Sequence, residues 1–117
     1  MLNKIKNYET ILIFTPVLSD KIVQNVYLEY ENFLIENKAE IINKEIWGMK
    51  KLAYKIKKNK NGFFFILQYK IFPNFLEIIK NKILQDERII RFLIIKINKN
   101  ALEYSLKNKK KNEKENK

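Results

Sequence analysis

Between Tyr8 and Asn98 the hydrophobic period switches between two and about 3.6 residues in a definite order, and that order restricts the fold more than any other feature of the chain. Tyr8 to Thr15 is β-branched and aromatic and is stopped by Pro16, which predicts a first strand. Ser19 supplies an N-cap and Asp20 a first-turn acid for a helix in which Ile22, Val23, Val26, Tyr30, Phe33 and Leu34 recur at helical spacing up to Asn37. From Glu40 to Lys58 the period returns to two, with Leu52, Tyr54 and Ile56 opposed to Lys51, Lys55 and Lys57, and the isolated Gly48 predicts a bulge in this second strand. Asn59-Lys60-Asn61-Gly62 predicts a hairpin turn into a third strand from Phe63 to Phe72. Pro73 ends that strand, Asn74 and Glu77 make a variant capping box, and Leu76, Ile79 and Ile83 give the second helix its apolar face. Arg88 to Asn98 is β-rich again.

The resulting order, β-α-β-β-α-β, predicts an α+β fold of the ferredoxin-like kind: a four-stranded antiparallel sheet with two helices on one face. Right-handed crossovers in both halves place strands one and three at the centre and strands two and four at the edges. We divide the chain into a domain over residues 1–100 and a Lys-rich tail over residues 101–117. Ala101 to Leu106 suggests a weak helical turn. From Lys107 onward there are six Lys, three Asn and two Glu and no apolar residue, so that segment cannot offset its ordering entropy by burial and is expected to be disordered alone.

A total of 117 residues with 46% apolar content supports one modest core. The formal charge of +11 directs attention to anionic partners, and with only 2 Arg among 24 basic residues the expectation is contact with phosphates rather than base-edge reading by guanidinium forks. The chain has no Cys and no His, which excludes thiolate and imidazole metal sites, cysteine nucleophiles and Ser-His-Asp arrangements. Only Asp20 and Asp86 are aspartates, neither beside an evident catalytic partner, and Thr15-Pro16-Val17-Leu18 offers neither the charge nor the glycine of a phosphate cradle. No enzyme activity, cofactor, metal or small-molecule substrate is therefore expected. The longest apolar run, Phe63 to Leu67, is far short of the ~20 residues of a membrane span, and no secretory cleavage pattern follows Lys4 and Lys6, so a cytoplasmic protein without membrane association is expected.

Two helices cover one face of a sheet, so the other face should alternate polar residues if it meets water. Strands one, three and four instead carry apolar residues on both sides, which predicts an uncovered apolar patch of several hundred Å² and a protein partner for it. The residues assigned to that partner face are Ile11, Ile13, Phe63, Phe65, Ile90 and Phe92. Around it lie Lys4 and Lys6, a cluster from Lys50 and Lys51 through Lys55, Lys57, Lys58 and Lys60, and Arg88, Arg91 and Lys96 on the last strand.

Tyr8-Glu9, Trp47-Gly48, Lys50-Lys51, Leu52-Ala53-Tyr54 with Ile56, Gly62 followed by aromatics, and Ile89-Ile90-Arg91 together resemble the bacterial small-subunit ribosomal protein six family over about residues 1–98. The Trp-Gly-x-Lys-Lys-Leu-Ala-Tyr segment is the specific part. The resemblance implies a ferredoxin-like fold and a non-enzymatic role in the cytoplasmic ribosome: binding the central domain of small-subunit ribosomal RNA together with small-subunit ribosomal protein eighteen. Carried onto matching positions it implies RNA contacts at Lys50, Lys51 and Arg91; Lys55 and Lys96 are added from charge alone. Lys55 stands where family members often carry Pro. The alternative with the same element order is a single-stranded RNA reader of the RNA-recognition-motif type, which Gly62-Phe63-Phe64-Phe65-Ile66 partly resembles. Asn61, Phe64 and Gln68 depart from that pattern.

Overall fold

Ser19 opens the first helix as its position predicts, its Oγ accepting a hydrogen bond from the Ile22 amide at 3.2 Å. A computed structural model describes residues 4–97, ordered as β1 (Lys6–Phe14), α1 (Asp20–Glu36), β2 (Glu40–Ile56), β3 (Asn59–Ile71), α2 (Pro73–Gln85) and β4 (Ile89–Ile97). The expected helical turn at Ala101 to Leu106 and the tail over 101–117 lie outside the described residues. All strand pairs are antiparallel in the order β2-β3-β1-β4, so β1 and β3 are central, as the crossover rule requires.

α1 buries Val23, Val26, Tyr27, Tyr30 and Leu34, and α2 buries Ile79 and Ile83, against one face of this sheet. Tyr8, Leu12 and Phe14 of β1 and Phe63, Phe65, Leu67 and Tyr69 of β3 form the strand side of that layer. Register places Leu12 beside Phe65 and Phe14 beside Phe63, and the Tyr27 ring stacks on Phe65 with centroids 4.5 Å apart. Each such aromatic contributes about 1.5–3 kcal/mol by leaving water. The hydroxyls of Thr10 and Tyr69, 2.6 Å apart, satisfy each other inside this layer, and burial raises the Tyr69 pKa.

Two local expectations are corrected. The hairpin turns at Lys57 and Lys58, not at Asn61-Gly62: both lysines have positive φ, 48° and 68°, and Ile56 pairs with Asn59 across a two-residue loop. Asn59 Nδ2 supports this loop by donating to the carbonyls of Ile56 at 3.1 Å and Lys57 at 3.2 Å. Gly62 sits within β3, where a Cβ would approach Ile13 Cγ2 to 2.5 Å and the Phe14 carbonyl oxygen to 3.2 Å, so close packing rather than a turn requires glycine there. In α2 the first helical residue is Pro73 and the N-cap is Phe72, without a side-chain cap, so Asn74 does not form the capping box. Proline at this position needs no amide partner and its fixed φ already suits a helix. The bulge at Gly48 is present: the β2–β3 register shifts between Ile46 and Gly48, and Gly48 has φ 74°.

Candidate RNA and protein interface

Alternation along β1 and β3 decides which side chains the helices leave uncovered. Leu12 and Phe65 face the helices, so Ile11 and Ile13 of β1 and Phe64, Ile66 and Gln68 of β3 face away. On β4 the register slips by one residue between Ile13 and Phe14, because Ile13 pairs with Arg91 while Phe14 pairs with Ile89. Ile90 is the extra residue. It packs with Ile13 on the helix-free side, whereas Phe92 packs with the helix-side core.

The partner face assigned from sequence is thus divided. Ile11, Ile13 and Ile90 lie on the helix-free side; Phe63 and Phe65 are fully buried beneath the helices and Phe92 packs against the same core. The correction has a plain cause: β3 is apolar on both sides, so its pattern carries no record of which side the helices choose, and the slip at Ile90 breaks the alternation that linked it to Phe92.

The helix-free face is also less bare than expected. At the hairpin end Leu52 and Ile56 pack over Ile13, Phe64 and Ile90, so the chain shields that end itself. In the middle a polar pair interrupts the apolar residues, with Gln68 Nε2 donating to Glu9 Oε1 at 2.7 Å. The β4 edge of this face stays open, with Leu93 50% and Ile95 39% exposed beside Ile11 and Glu9.

Lys50, Lys51, Lys55 and Arg91 are all exposed and share the hairpin end of the sheet: Lys50 pairs with Gly62, Lys51 with Asn61, and Arg91 with Ile13 one row below the end of β1. Lys96 is not part of this group. It pairs with Tyr8 near the other end, about 16 Å from Arg91 along the strand, and alternates to the helix side. Arg88, counted among the edge charges, is held internally: its Nη2 donates to Asp86 Oδ2 at 2.7 Å and Glu29 Oε2 at 3.0 Å, and its Nε donates to Asp86 Oδ1 at 2.8 Å. Tyr30 OH adds a bond to Asp86 Oδ2 at 2.7 Å. Burial opposes ionisation of Asp86, but the hydrogen bonds from Arg88 and Tyr30 outweigh it and hold the carboxyl at about 2. This network ties α1 to the start of β4 and has a structural role.

One candidate was missed in the sequence. Trp47 lies next to the Gly48 bulge, 48% exposed, with its ring stacked on Phe64 at 5.9 Å and 18° and its Nε1 donating to Glu45 Oε1 at 3.0 Å. With Ile46, Lys50, Lys51 and Phe64 it lines a shallow cleft. The available signal was a lone tryptophan beside a strand glycine and two lysines. Among the described residues no group of His, Cys, Asp and Glu could hold a metal ion, and no helix is long and apolar enough to cross a membrane.

The geometry defines a ferredoxin-like α+β domain with one helix-covered face, one partly open face and a cationic end. Comparison with known proteins agrees. A solved structure of 30S ribosomal protein S6 from Thermotoga maritima superposes with a TM-score of 0.78 over 95% of this chain and 99% of that one, at 23% identity, which supports the fold. A family model described as Ribosomal protein S6 matches residues 7–96. Small ribosomal subunit protein bS6 of Christiangramia forsetii is 39% identical over 91% of this chain and 95% of its own, and that of Phocaeicola vulgatus is 44% identical over 86% and 88%. The chain belongs to the ribosomal protein S6 family, and is thereby a small-subunit ribosomal protein of the bacterial cytoplasm.

Proposed function

We propose that this chain is a non-catalytic scaffold component that binds the central domain of small-subunit ribosomal RNA cooperatively with small-subunit ribosomal protein eighteen. The observation that carries the reading is the adjacency of two unlike surfaces: the exposed Leu93–Ile95 edge of the helix-free face and the cationic end bearing Lys50, Lys51, Lys55 and Arg91. The first suits a protein and the second suits phosphates, and a protein docked on the former extends the basic surface and raises effective concentration at the RNA. Lys96 contributes from the far end of β4 as a separate phosphate contact. The role calls for no cofactor, metal, small-molecule substrate or membrane.

The alternative RNA reader stacks bases on strand-three aromatics of an open sheet face. Here Phe63 and Phe65 are buried beneath the helices and Phe64 is already stacked on Trp47, which removes the platform that reading needs. The test is a gel-shift titration of a central-domain RNA fragment with and without protein eighteen. At least about tenfold tighter binding in its presence is expected; equal affinity overturns the cooperative reading.

A further inference from the structure

We infer that Trp47 is a stacking platform for an unpaired nucleobase of the bound RNA, with the adjoining phosphates held by Lys50 and Lys51. The inference rests on the RNA-binding reading above and assigns it a specific subsite.

Three observations converge on this ring. First, it is held in place before any ligand arrives: one face lies on Phe64, 5.9 Å away at 18°, and the indole N–H is fixed to Glu45 Oε1 at 3.0 Å. A ring already immobilised loses little further rotamer freedom on binding. Second, Trp47 remains about half exposed, although burying such a side chain is normally favourable. The bulge explains the position. Trp47 falls at the register shift between Ile46 and Gly48, where the positive φ of Gly48 turns the strand, and its ring lies on Phe64 of β3. Third, the same cleft is lined by Lys50 and Lys51, both exposed, with Arg91 and the hairpin lysines beyond them at that end of the sheet.

An exposed aromatic face flanked by ammonium groups matches the two parts of a nucleotide, a flat π-system and an anion. A basic protein segment finds repulsion at these lysines, which makes RNA the fitting occupant. The base must be unpaired, because one stacked within a duplex presents no free face.

Trp47 is the only tryptophan in the chain, so intrinsic emission reports on this ring alone. Full-length protein is titrated at low salt with the central-domain RNA fragment, with an unstructured oligoadenylate, and with inorganic polyphosphate as a base-free polyanion. Both nucleic acids should quench the emission strongly while polyphosphate binds without doing so. Trp47→Leu should weaken RNA binding about 5- to 150-fold with an unchanged salt dependence, and Trp47→Phe should restore most of the loss. Circular dichroism of the Leu variant checks folding, and should Leu fail to fold, the contrast between RNA and polyphosphate in the wild-type emission decides the matter. RNA bound with unchanged emission, or equal affinity in all three proteins, overturns the platform and leaves the RNA reading standing. Failure of the wild type to bind RNA, with or without protein eighteen, overturns both. Quenching produced only by protein eighteen assigns the ring to a protein contact and overturns the inference.

Discussion

Replacing Gly62 by alanine tests the close packing of β3 against Ile13 and Ile90 on the helix-free side of the sheet. An added Cβ would lie 2.5 Å from Ile13 Cγ2, 3.2 Å from the Phe14 carbonyl oxygen and 3.6 Å from Ile90 Cδ1. The first of these distances is well inside van der Waals contact, and Ile13 is held by Leu52 and Ile90, so it has little room to yield. Overpacking of this kind costs about 1–3 kcal/mol, set against a gain of about 0.4–1 kcal/mol from a less flexible unfolded chain. The net expectation is a loss of about 1–2 kcal/mol, which in a domain of this size lowers the thermal midpoint by about 5–15 °C. Calorimetry or urea unfolding reads the change. A double-mutant cycle with Ile13→Ala, which removes Cγ2, should show the two losses to be less than additive by at least about 0.5 kcal/mol. An unchanged or raised midpoint for Gly62→Ala, or strict additivity in the cycle, refutes the close-approach reasoning.

The Asp86 network sets an acid limit. Its carboxyl is held at about 2, below the ordinary 3.8, so it contributes stability that is fully present above about pH 5 and is lost as pH falls toward 2. Asp86→Asn should cost about 2 kcal/mol at neutral pH and flatten the acid limb of a stability-against-pH curve; an unchanged limb contradicts the assignment. Lys58→Gly removes a left-handed lysine (φ 68°) from the hairpin loop and should raise stability by a few tenths to about 1 kcal/mol in urea unfolding. If six of the basic groups met phosphates, the log-log salt slope would be about −4 to −5, and Lys50→Ala or Lys51→Ala should each reduce its magnitude by about 0.7–0.9 in filter-binding titrations.

Much of the fold was legible because several signals agreed at each boundary. Ser19 with Asp20, Pro16 and Pro73 as strand stops, and Gly48 in a long alternation marked elements that form where expected. The turn was not legible, since nothing about two lysines announces left-handed backbone, whereas Asn61-Gly62 imitates a turn while serving as a thin point under Ile13. The basic cluster was legible as charge, but the role of Arg88 depends on Asp86 and Glu29 being brought to it, and Glu29 comes from a distant element. The division of the partner face depends on which side of β3 the helices cover and on a one-residue slip in β4, both tertiary facts. Trp47 drew notice for its motif, while its half-exposed stack on Phe64 needed the bulge to be built.

The most direct test of the central claim is the ternary gel shift repeated with Leu93→Glu/Ile95→Glu. Both side chains are substantially exposed, so the charges should leave the fold intact while spoiling the proposed protein-binding edge. Protein eighteen is expected no longer to tighten RNA binding by this variant. Undiminished cooperativity would contradict it, because the edge of the helix-free face would then not be where the partner docks.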